Sequence, residues 1–157
     1  MAGDREPSYR LRVYLDTSVF SAYLDERMPE RRQLTAEFWL RLPELRACTS
    51  VLARDELSDT PDAGRRHRLL GLLEEVVVHE VTAQMRGLAS EYVSRGIFTE
   101  EQLDDATHVA VALLTDQSAL VSWNFRHLVN RRRRAMIEGT NRALGLPTID
   151  IVSPPEV

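Results

Sequence analysis

The sequence has 157 residues, of which 43% are apolar and 28% are charged, and its formal net charge is −4 at pH 7. This length predicts one domain over residues 1–157 with a sizeable core, and the composition excludes a fibrous or disordered chain. The single cysteine excludes an internal disulfide and a cysteine-based zinc cluster, and the lack of an apolar stretch of about 18 residues predicts a cytoplasmic protein with no membrane partner.

The first half of the chain reads as two strands, each followed by helices. Residues 1–10 are expected to form a flexible tail, and LRVYL (11–15) is a strand that leads into the helix TSVFSAYL (17–24). A helix is predicted over residues 30–45, because apolar residues recur there at helical spacing. The next elements are the strand ACTS (47–50), the helix VLARDELSD (51–59) with Ser50 as its N-cap and, after a turn cluster, a leucine-rich helix that ends near Leu73.

The second half continues the alternation of strands and helices. VVVHEV (76–81) is predicted to be a buried strand, because continuous β-branched runs are typical of parallel sheets covered on both faces. The later elements are helices over residues 82–95 and 100–115, the strand ALVSW (119–123), a helix over residues 127–143 and the closing strand TIDIVS (148–153). This alternation predicts an α/β fold, a three-layer α/β/α sandwich with an open, mainly parallel sheet.

Three acidic residues lie at positions that the pattern predicts to be buried. Asp16 ends the first strand, at the edge of the sheet where ligand sites of open α/β folds form. Helical-wheel positions place Asp105 and Glu56 on the apolar sides of their helices. The neighbouring polar stripe consists of Asp104, Thr107, His108 and Thr115. Three carboxylates from three separate elements are therefore predicted to converge at one edge of the sheet.

Each acid also has a simpler interpretation. Asp16 could cap the helix that follows it, Glu56 could pair with an arginine on the surface, and Asp105 could be an N-terminal acid favoured by the helix dipole. Isolated buried carboxylates are costly, however, and a cation is the usual remedy where several converge. Oxygen ligands without cysteine or a histidine pair favour Mg²⁺ or Mn²⁺, and such an ion can activate water for attack on a phosphate.

Five segments of the sequence, in this order, resemble PIN-domain ribonucleases, especially the VapC-like toxins of bacterial toxin–antitoxin pairs. The segments are LDTSVFSAYL at the first strand, TSVLARDEL around Glu56, LDDATHVAVAL around Asp105, LVSWNFRHLVN after the fourth strand, and the closing IDIVSPPE. The resemblance spans nearly the whole chain and implies a PIN-like fold, a parallel sheet sandwiched by helices.

By this resemblance, Asp16, Glu56 and Asp105 match the acidic metal-site positions of the family. Many relatives have a further acid in the segment SWNFRHL, where this chain has Asn124. An asparagine can ligate a metal through its carbonyl oxygen, but it brings no charge. We therefore expect one well-held divalent ion and a second that binds weakly or only with substrate. The candidate catalytic residues are Asp16, Glu56, Asp105 and Asn124.

Other residues are candidates for supporting roles. The resemblance places the hydroxyl groups of Thr17 and Ser18 near the first acid. His108 and His127 are candidate proton carriers, although metal-bound water needs no separate imidazole base and a structural hydrogen bond is the simpler interpretation. The basic residues that could contact RNA phosphates, rather than only form a solvated helix face, are Arg126, Arg131, Arg132, Arg133 and Arg134.

The leading functional interpretation is a metal-dependent endoribonuclease that hydrolyses RNA phosphodiester bonds. The resemblance implies a toxin that forms a homodimer and is held in check by a small antitoxin protein. The alternative is a PIN-like RNA-binding or partner-binding domain with little or no nuclease activity, because Asn124 leaves the site one negative charge short.

A phosphorelay receiver would use a lysine, which this chain lacks, and a haloacid-dehalogenase-type phosphatase would have an acid in place of Ser18. The sequence also has no Gly-rich phosphate loop to support a nucleotidase or NTPase.

Overall fold

The computed structural model describes residues 9–157, so most of the predicted flexible tail, residues 1–10, lies outside the described residues. The strands are β1 Arg12–Leu15, β2 Arg46–Ser50, β3 Val77–His79, β4 Ala119–Val121 and β5 Asp150–Val152. The α-helices are α1 Thr17–Tyr23, α2 Pro29–Leu40, α3 Val51–Ser58, α4 Ala63–Leu72, α5 Ala83–Ser94, α6 Leu103–Leu114 and α7 Arg131–Ala143. Short 3₁₀ turns follow at Leu42–Glu44, Leu73–Glu75, Glu100–Gln102 and Pro154–Glu156.

The five strands form one parallel sheet in the order β3-β2-β1-β4-β5. In the central strand, Tyr14 lies in register with Cys48 on one side and Leu120 on the other. Because all the strands run in the same direction, their carboxyl ends meet at one edge of the sheet. Asp16 follows β1 at this edge, and Ser50 ends β2 there. The arrangement confirms the predicted α/β fold with an open parallel sheet.

The two faces of the sheet are covered by different helices. Along β1, Val13 and Leu15 point into one apolar core and Tyr14 points into the other, as the alternation of side chains in a strand requires. The first core is built mainly from α1, α2, α3 and α4, and the second from α5, α6 and α7. The sheet is thus the middle layer of an α/β/α sandwich.

The strand β3 is less buried than its sequence predicts. VVVHEV does contain a strand, but only Val77–His79 belongs to it, and Val77 is 61% exposed. β3 pairs with β2 alone and therefore forms an edge of the sheet, where solvent reaches the side chains. A continuous β-branched run indicates a strand but does not distinguish a central strand from an edge strand.

Two helices have different limits from those predicted. α2 ends at Leu40 rather than near residue 45, because Pro43 disfavours α-helical conformation in the residue before it. The chain continues as a 3₁₀ turn. α7 begins at Arg131 rather than at residue 127, because the Asn130 side chain accepts a hydrogen bond from the Arg133 N–H and caps the helix there. Across residues 9–157, each helix is too short or too polar to cross a lipid bilayer.

Candidate active site

Asp16 is held by hydroxyl and amide donors at the carboxyl end of β1. Its Oδ1 atom accepts hydrogen bonds from the Ser18 N–H at 3.0 Å and the Ser18 hydroxyl at 2.5 Å. Its Oδ2 atom accepts one from the Ser122 hydroxyl at 2.6 Å. Asp16 is therefore the N-cap of α1, as its simpler interpretation proposed, and both oxygens of its carboxylate are fixed in place.

The carboxylate of Asp16 is only 4% exposed, and burial raises its pKa above the ordinary value. The positive charge of His108 and the hydrogen bonds from Ser122 and Ser18 act in the opposite direction, but they do not cancel the effect of burial. The negative charge of Asp105 raises the pKa further. Burial thus disfavours the ionised form of Asp16, and an additional positive charge would stabilise it.

Glu56 lies on α3 and is paired with His108 of α6. The Nε2 atom of His108 lies 3.1 Å from Oε1 of Glu56 and 3.4 Å from the Thr17 hydroxyl. Burial alone would raise the pKa of Glu56 and lower that of His108. Their hydrogen bond and mutual attraction outweigh burial, so the pKa of Glu56 is lowered and that of His108 is raised. The Nε2–H of His108 therefore donates to an ionised Glu56.

The other side of the His108 ring continues into the core. Nδ1 lies 2.7 Å from the Tyr14 hydroxyl, which lies 2.8 Å from the Ser50 hydroxyl. Burial raises the pKa of Tyr14, so this phenol stays protonated. Ser50 is the N-cap residue of α3, as predicted, but its side chain makes no capping hydrogen bond and contacts Tyr14 instead. A buried chain of polar groups thus runs from β2 through β1 and α6 to Glu56.

Asp105 belongs to a second cluster, which is less buried. Its Oδ2 atom lies 3.0 Å from Nδ1 of His127, and its Oδ1 atom accepts a hydrogen bond from the Asn124 amide nitrogen at 3.3 Å. The Asn124 side-chain oxygen accepts a hydrogen bond from the backbone N–H of His127 at 2.9 Å. The side chains of Asp105 and His127 are 22% and 28% exposed. Asn124 therefore presents its nitrogen, rather than its carbonyl oxygen, to Asp105.

The two clusters lie at the same edge of the sheet. Ser122 links them, because its hydroxyl donates to Asp16 and accepts a hydrogen bond from the backbone N–H of Asn124 at 2.9 Å. Within residues 9–157, however, no group of three or more histidine, cysteine or acidic side chains is arranged to hold a metal ion. The oxygen donors suit Mg²⁺ or Mn²⁺ in their chemistry. In this structure two of the acids, Glu56 and Asp105, are each paired with a histidine.

The arginines near the site fall into two groups. Arg126, Arg131 and Arg132 are exposed. Arg133 stacks over the Phe98 ring, with 4.7 Å between its Cζ atom and the ring centroid, and donates to Gln102. Arg134 donates to the Ile151 carbonyl at 3.0 Å. Arg134 is also exposed, but its guanidinium group is bound to that carbonyl. The first group is available for contact with a ligand, whereas the second group makes contacts within the protein.

Several residues of the site were not predicted from the sequence. Ser122 follows β4 as Asp16 follows β1, so a polar residue at the end of a second buried strand could have been recognised. Tyr14 and Ser50 carry no such signal, because a tyrosine in a strand and a serine before a helix are ordinary. His108 was placed on a polar stripe but is only 2% exposed. Its ring is covered because α6 packs closely against α5 and the sheet.

Solved structures with the same fold include toxins of the VapC type. A chain of VapBC2 from Rickettsia felis, bound to a promoter DNA fragment, has a TM-score of 0.58 and 12% identity over 91% of this chain and 98% of its own. VapC20 from Mycobacterium tuberculosis, described as a sarcin–ricin loop cleaving toxin, has a TM-score of 0.55 and 19% identity over 88% and 98%. A chain of DNA-bound VapBC from Salmonella typhimurium has a TM-score of 0.54 and 18% identity over 92% and 98%.

These comparisons establish the fold. No protein-family model matches the sequence, and no curated protein matches it significantly. These three structures are at most 19% identical to this chain in sequence, so the likeness lies in the backbone arrangement. The chain therefore has the VapC-like PIN fold that the sequence motifs predicted.

Proposed function

We propose that this protein is a divalent-metal-dependent endoribonuclease and the toxin of a toxin–antitoxin pair. The observation that carries the proposal is Asp16, a buried carboxylate at the end of the central strand, with Asp105 and the His108–Glu56 pair beside it. The VapC-like fold supports the proposal, because one protein with this fold is described as a sarcin–ricin loop cleaving toxin.

The proposed metal ligands are Asp16, Glu56 and Asp105. Their oxygens suit Mg²⁺ or Mn²⁺, and such an ion, when bound, supplies an activated water and screens the charge of the attacked phosphate. Because Asn124 adds no charge, we propose one ion held by the protein and a second that binds weakly or only with RNA.

The side chains around the acids have separate roles in this proposal. Ser18 and Ser122 orient Asp16, and the Nε2–H of His108 orients Glu56. Asn124 and His127 hold Asp105 in the same way. The exposed arginines contact RNA phosphates and position the backbone without reading its sequence; they are Arg126, Arg131 and Arg132.

An antitoxin partner and a homodimer belong to the same proposal. Two of the solved structures with this fold are VapBC complexes, which supports an antitoxin partner. The homodimer rests on the resemblance of the sequence to VapC-like toxins, and the cytoplasmic location rests on the lack of a long apolar stretch in the sequence. Co-purification of this protein with the product of a short neighbouring reading frame, and its loss of activity in that complex, would test the partnership.

A second candidate function is RNA or partner binding with little or no cleavage. The observation that favours it is the pairing of Glu56 with His108 and of Asp105 with His127, which leaves no three-acid group in residues 9–157. A protein of this kind would bind RNA equally well with Mn²⁺ and with EDTA and would leave the strand intact.

Cleavage of labelled RNA separates the two candidates. Purified wild-type protein and the variants Asp16→Asn and Asp105→Asn are incubated with single-stranded and structured RNA, with Mn²⁺ or with EDTA. Asp104→Asn is the matched control, because Asp104 adjoins Asp105 on α6 but is exposed outside the site. We expect cleavage by the wild type and the control with Mn²⁺ only, and none by the other variants. Equal behaviour of all four proteins would contradict the nuclease proposal.

A further inference from the structure

An arginine and two aromatic rings form a patch beside the acids, which we call the aromatic platform (Arg31, Trp123 and Phe125). The Arg31 Cζ atom lies 5.0 Å from the centroid of the Trp123 ring and 5.6 Å from that of the Phe125 ring. The two rings are 6.1 Å apart in an edge-to-face arrangement. Trp123 is 7% exposed, whereas Phe125 is 45% exposed.

The base of the aromatic platform is rigid. The Trp123 indole N–H donates to the Thr35 hydroxyl at 2.8 Å, and the same hydroxyl donates to the Arg31 carbonyl at 2.7 Å. The Trp123 backbone N–H donates to the Ser18 hydroxyl at 2.8 Å. These contacts fix Trp123 between α2 and the start of α1, so a ligand would meet a surface that is already formed.

The aromatic platform is joined directly to both aspartates. Ser18, which receives the Trp123 N–H, also donates to Asp16. Asn124, which lies between the two aromatic residues in the sequence, donates to Asp105. Because consecutive Cα atoms are about 3.8 Å apart, Phe125 lies next to the proposed reaction centre rather than on a remote surface.

A groove extends from the aromatic platform along the start of α2. Its volume is about 480 Å³, within the range of sites for small ligands. Its lining combines apolar side chains with two arginines and one acid, and consists of Arg27, Met28, Pro29, Glu30, Arg31, Leu34 and Trp123. The Arg27 side chain is 87% exposed. Aromatic rings beside guanidinium groups are the combination that stacks unpaired bases and attracts the phosphates joined to them.

We propose that the aromatic platform binds one unpaired nucleobase of the RNA next to the cleaved phosphodiester bond. The inference rests on the proposed function, because it places this base relative to the proposed reaction centre. Phe125 supplies the exposed ring, Trp123 supports it, and Arg31 faces both rings with its positive charge. A base can reach this surface only when it is unpaired, so the substrate is a single strand or a loop with an extruded base.

Binding of RNA with and without that base tests the subsite. Wild-type protein is first used to map a cleavage site in a labelled single-stranded RNA. Two versions of this RNA, one intact and one with an abasic nucleotide beside the mapped bond, are then titrated by fluorescence anisotropy with EDTA present. The proteins are the wild type, Phe125→Ala, Phe125→Tyr and, as a control for loss of an exposed apolar side chain, Leu144→Ala.

We expect Phe125→Ala to weaken binding of the intact RNA by about 5- to 100-fold, the range for loss of one base stack. Wild-type protein should bind the abasic RNA with a similar loss, and Phe125→Ala should have little further effect on it, because the two changes remove the same contact. Phe125→Tyr should restore binding of the intact RNA, and Leu144→Ala should bind as the wild type does.

Three different results would contradict the inference. If Phe125→Ala weakens the binding of intact RNA and abasic RNA equally, the base subsite is contradicted, but the nuclease proposal is not affected. Unchanged RNA binding together with lost binding of a co-purified antitoxin would make the aromatic platform a protein-docking surface. Absence of cleavage by the wild type at the mapping step would contradict the proposed function itself.

Discussion

The two halves of the candidate site differ in how firmly the protein holds them. The inner half consists of Asp16, Tyr14, Ser50 and His108, whose exposure ranges from 0% to 4%. The outer half consists of Asp105, Asn124 and His127, and the side chains of Asp105 and His127 are 22% and 28% exposed. The inner half is built from strand ends and the middle of α6, whereas Asn124 and His127 belong to the connection between β4 and α7.

This difference indicates what each half contributes. Buried polar groups must keep their partners, because an unpaired donor or charge in the core is costly. Folding therefore fixes the side chains of the inner half in place. It also has an energetic cost, because the carboxylate of Asp16 is buried when it is ionised. The outer half is hydrated in part, so its hydrogen bonds are easier to exchange for a metal ion or a phosphate.

The largest expected effect is the loss of stability caused by truncating His108. His108→Ala removes a buried ring and leaves Tyr14 and Glu56 without their partner. We expect the free energy of unfolding to fall by about 2–5 kcal/mol, the range for truncation of large buried side chains. His127→Ala should reduce it by about 1 kcal/mol or less, since pairs exposed to water contribute little. Urea denaturation measures both values, and equal losses would contradict the distinction between the halves.

A smaller change in stability, a gain rather than a loss, is expected when Asp16 is replaced. The pKa of Asp16 is raised in the folded protein. Its contribution to the free energy of unfolding is therefore fully present below the unfolded pKa and is lost as pH rises through the folded pKa. Asp16→Asn removes that loss, and we expect the metal-free protein to gain about 0.5–2 kcal/mol at neutral pH while losing cleavage.

Thermal unfolding in EDTA at several pH values measures the effect of Asp16→Asn. The difference between variant and wild type should grow as pH rises above 3.8, the ordinary value of an aspartate. Asp105→Asn is the comparison from the outer half and should give no such gain. A lower melting temperature of Asp16→Asn across the whole pH range would show that the carboxylate stabilises the fold.

The two groups of arginines should differ in their effect on RNA binding. Replacement of Arg131 and Arg132 by glutamine removes two exposed charges, so the dependence of log K on log salt concentration should flatten by about 1.4. The stability should not change. Replacement of Arg133 and Arg134 should instead lower stability, because these side chains pack on Phe98 and bind the Ile151 carbonyl. An unchanged salt slope for the first pair would count against phosphate contact.

The sequence predicts the sheet and the inner acid better than it predicts the surroundings of the site. Alternation of apolar runs and helical patterns identified all five strands, because that period follows directly from backbone geometry. It did not show that β3 is an edge strand, since strand order depends on contacts between distant residues. Asp16 could be recognised because a carboxylate ends an apolar strand.

Both histidines were candidates from the sequence, but the acid with which each one pairs could not be found in the same way. His108 and Glu56 are 52 positions apart, and Asp105 and His127 are 22 apart, so their pairing depends on how α6 packs on the sheet. The four consecutive arginines looked equivalent in the sequence. Arg133 and Arg134 make contacts within the protein, whereas Arg131 and Arg132 are exposed. This division depends on the rotation of α7, which begins only at the Asn130 cap.

Calorimetric titration with Mn²⁺ tests most directly the central claim that Asp16, Glu56 and Asp105 hold a divalent ion. The RNA-free wild type should bind one ion tightly, Asp16→Asn and Asp105→Asn should lose that binding, and the exposed control Asp104→Asn should keep it. Two tight sites would contradict the assignment of a single well-held ion. Mn²⁺ binding that is absent in the wild type, or unchanged in Asp16→Asn, would contradict the metal site itself.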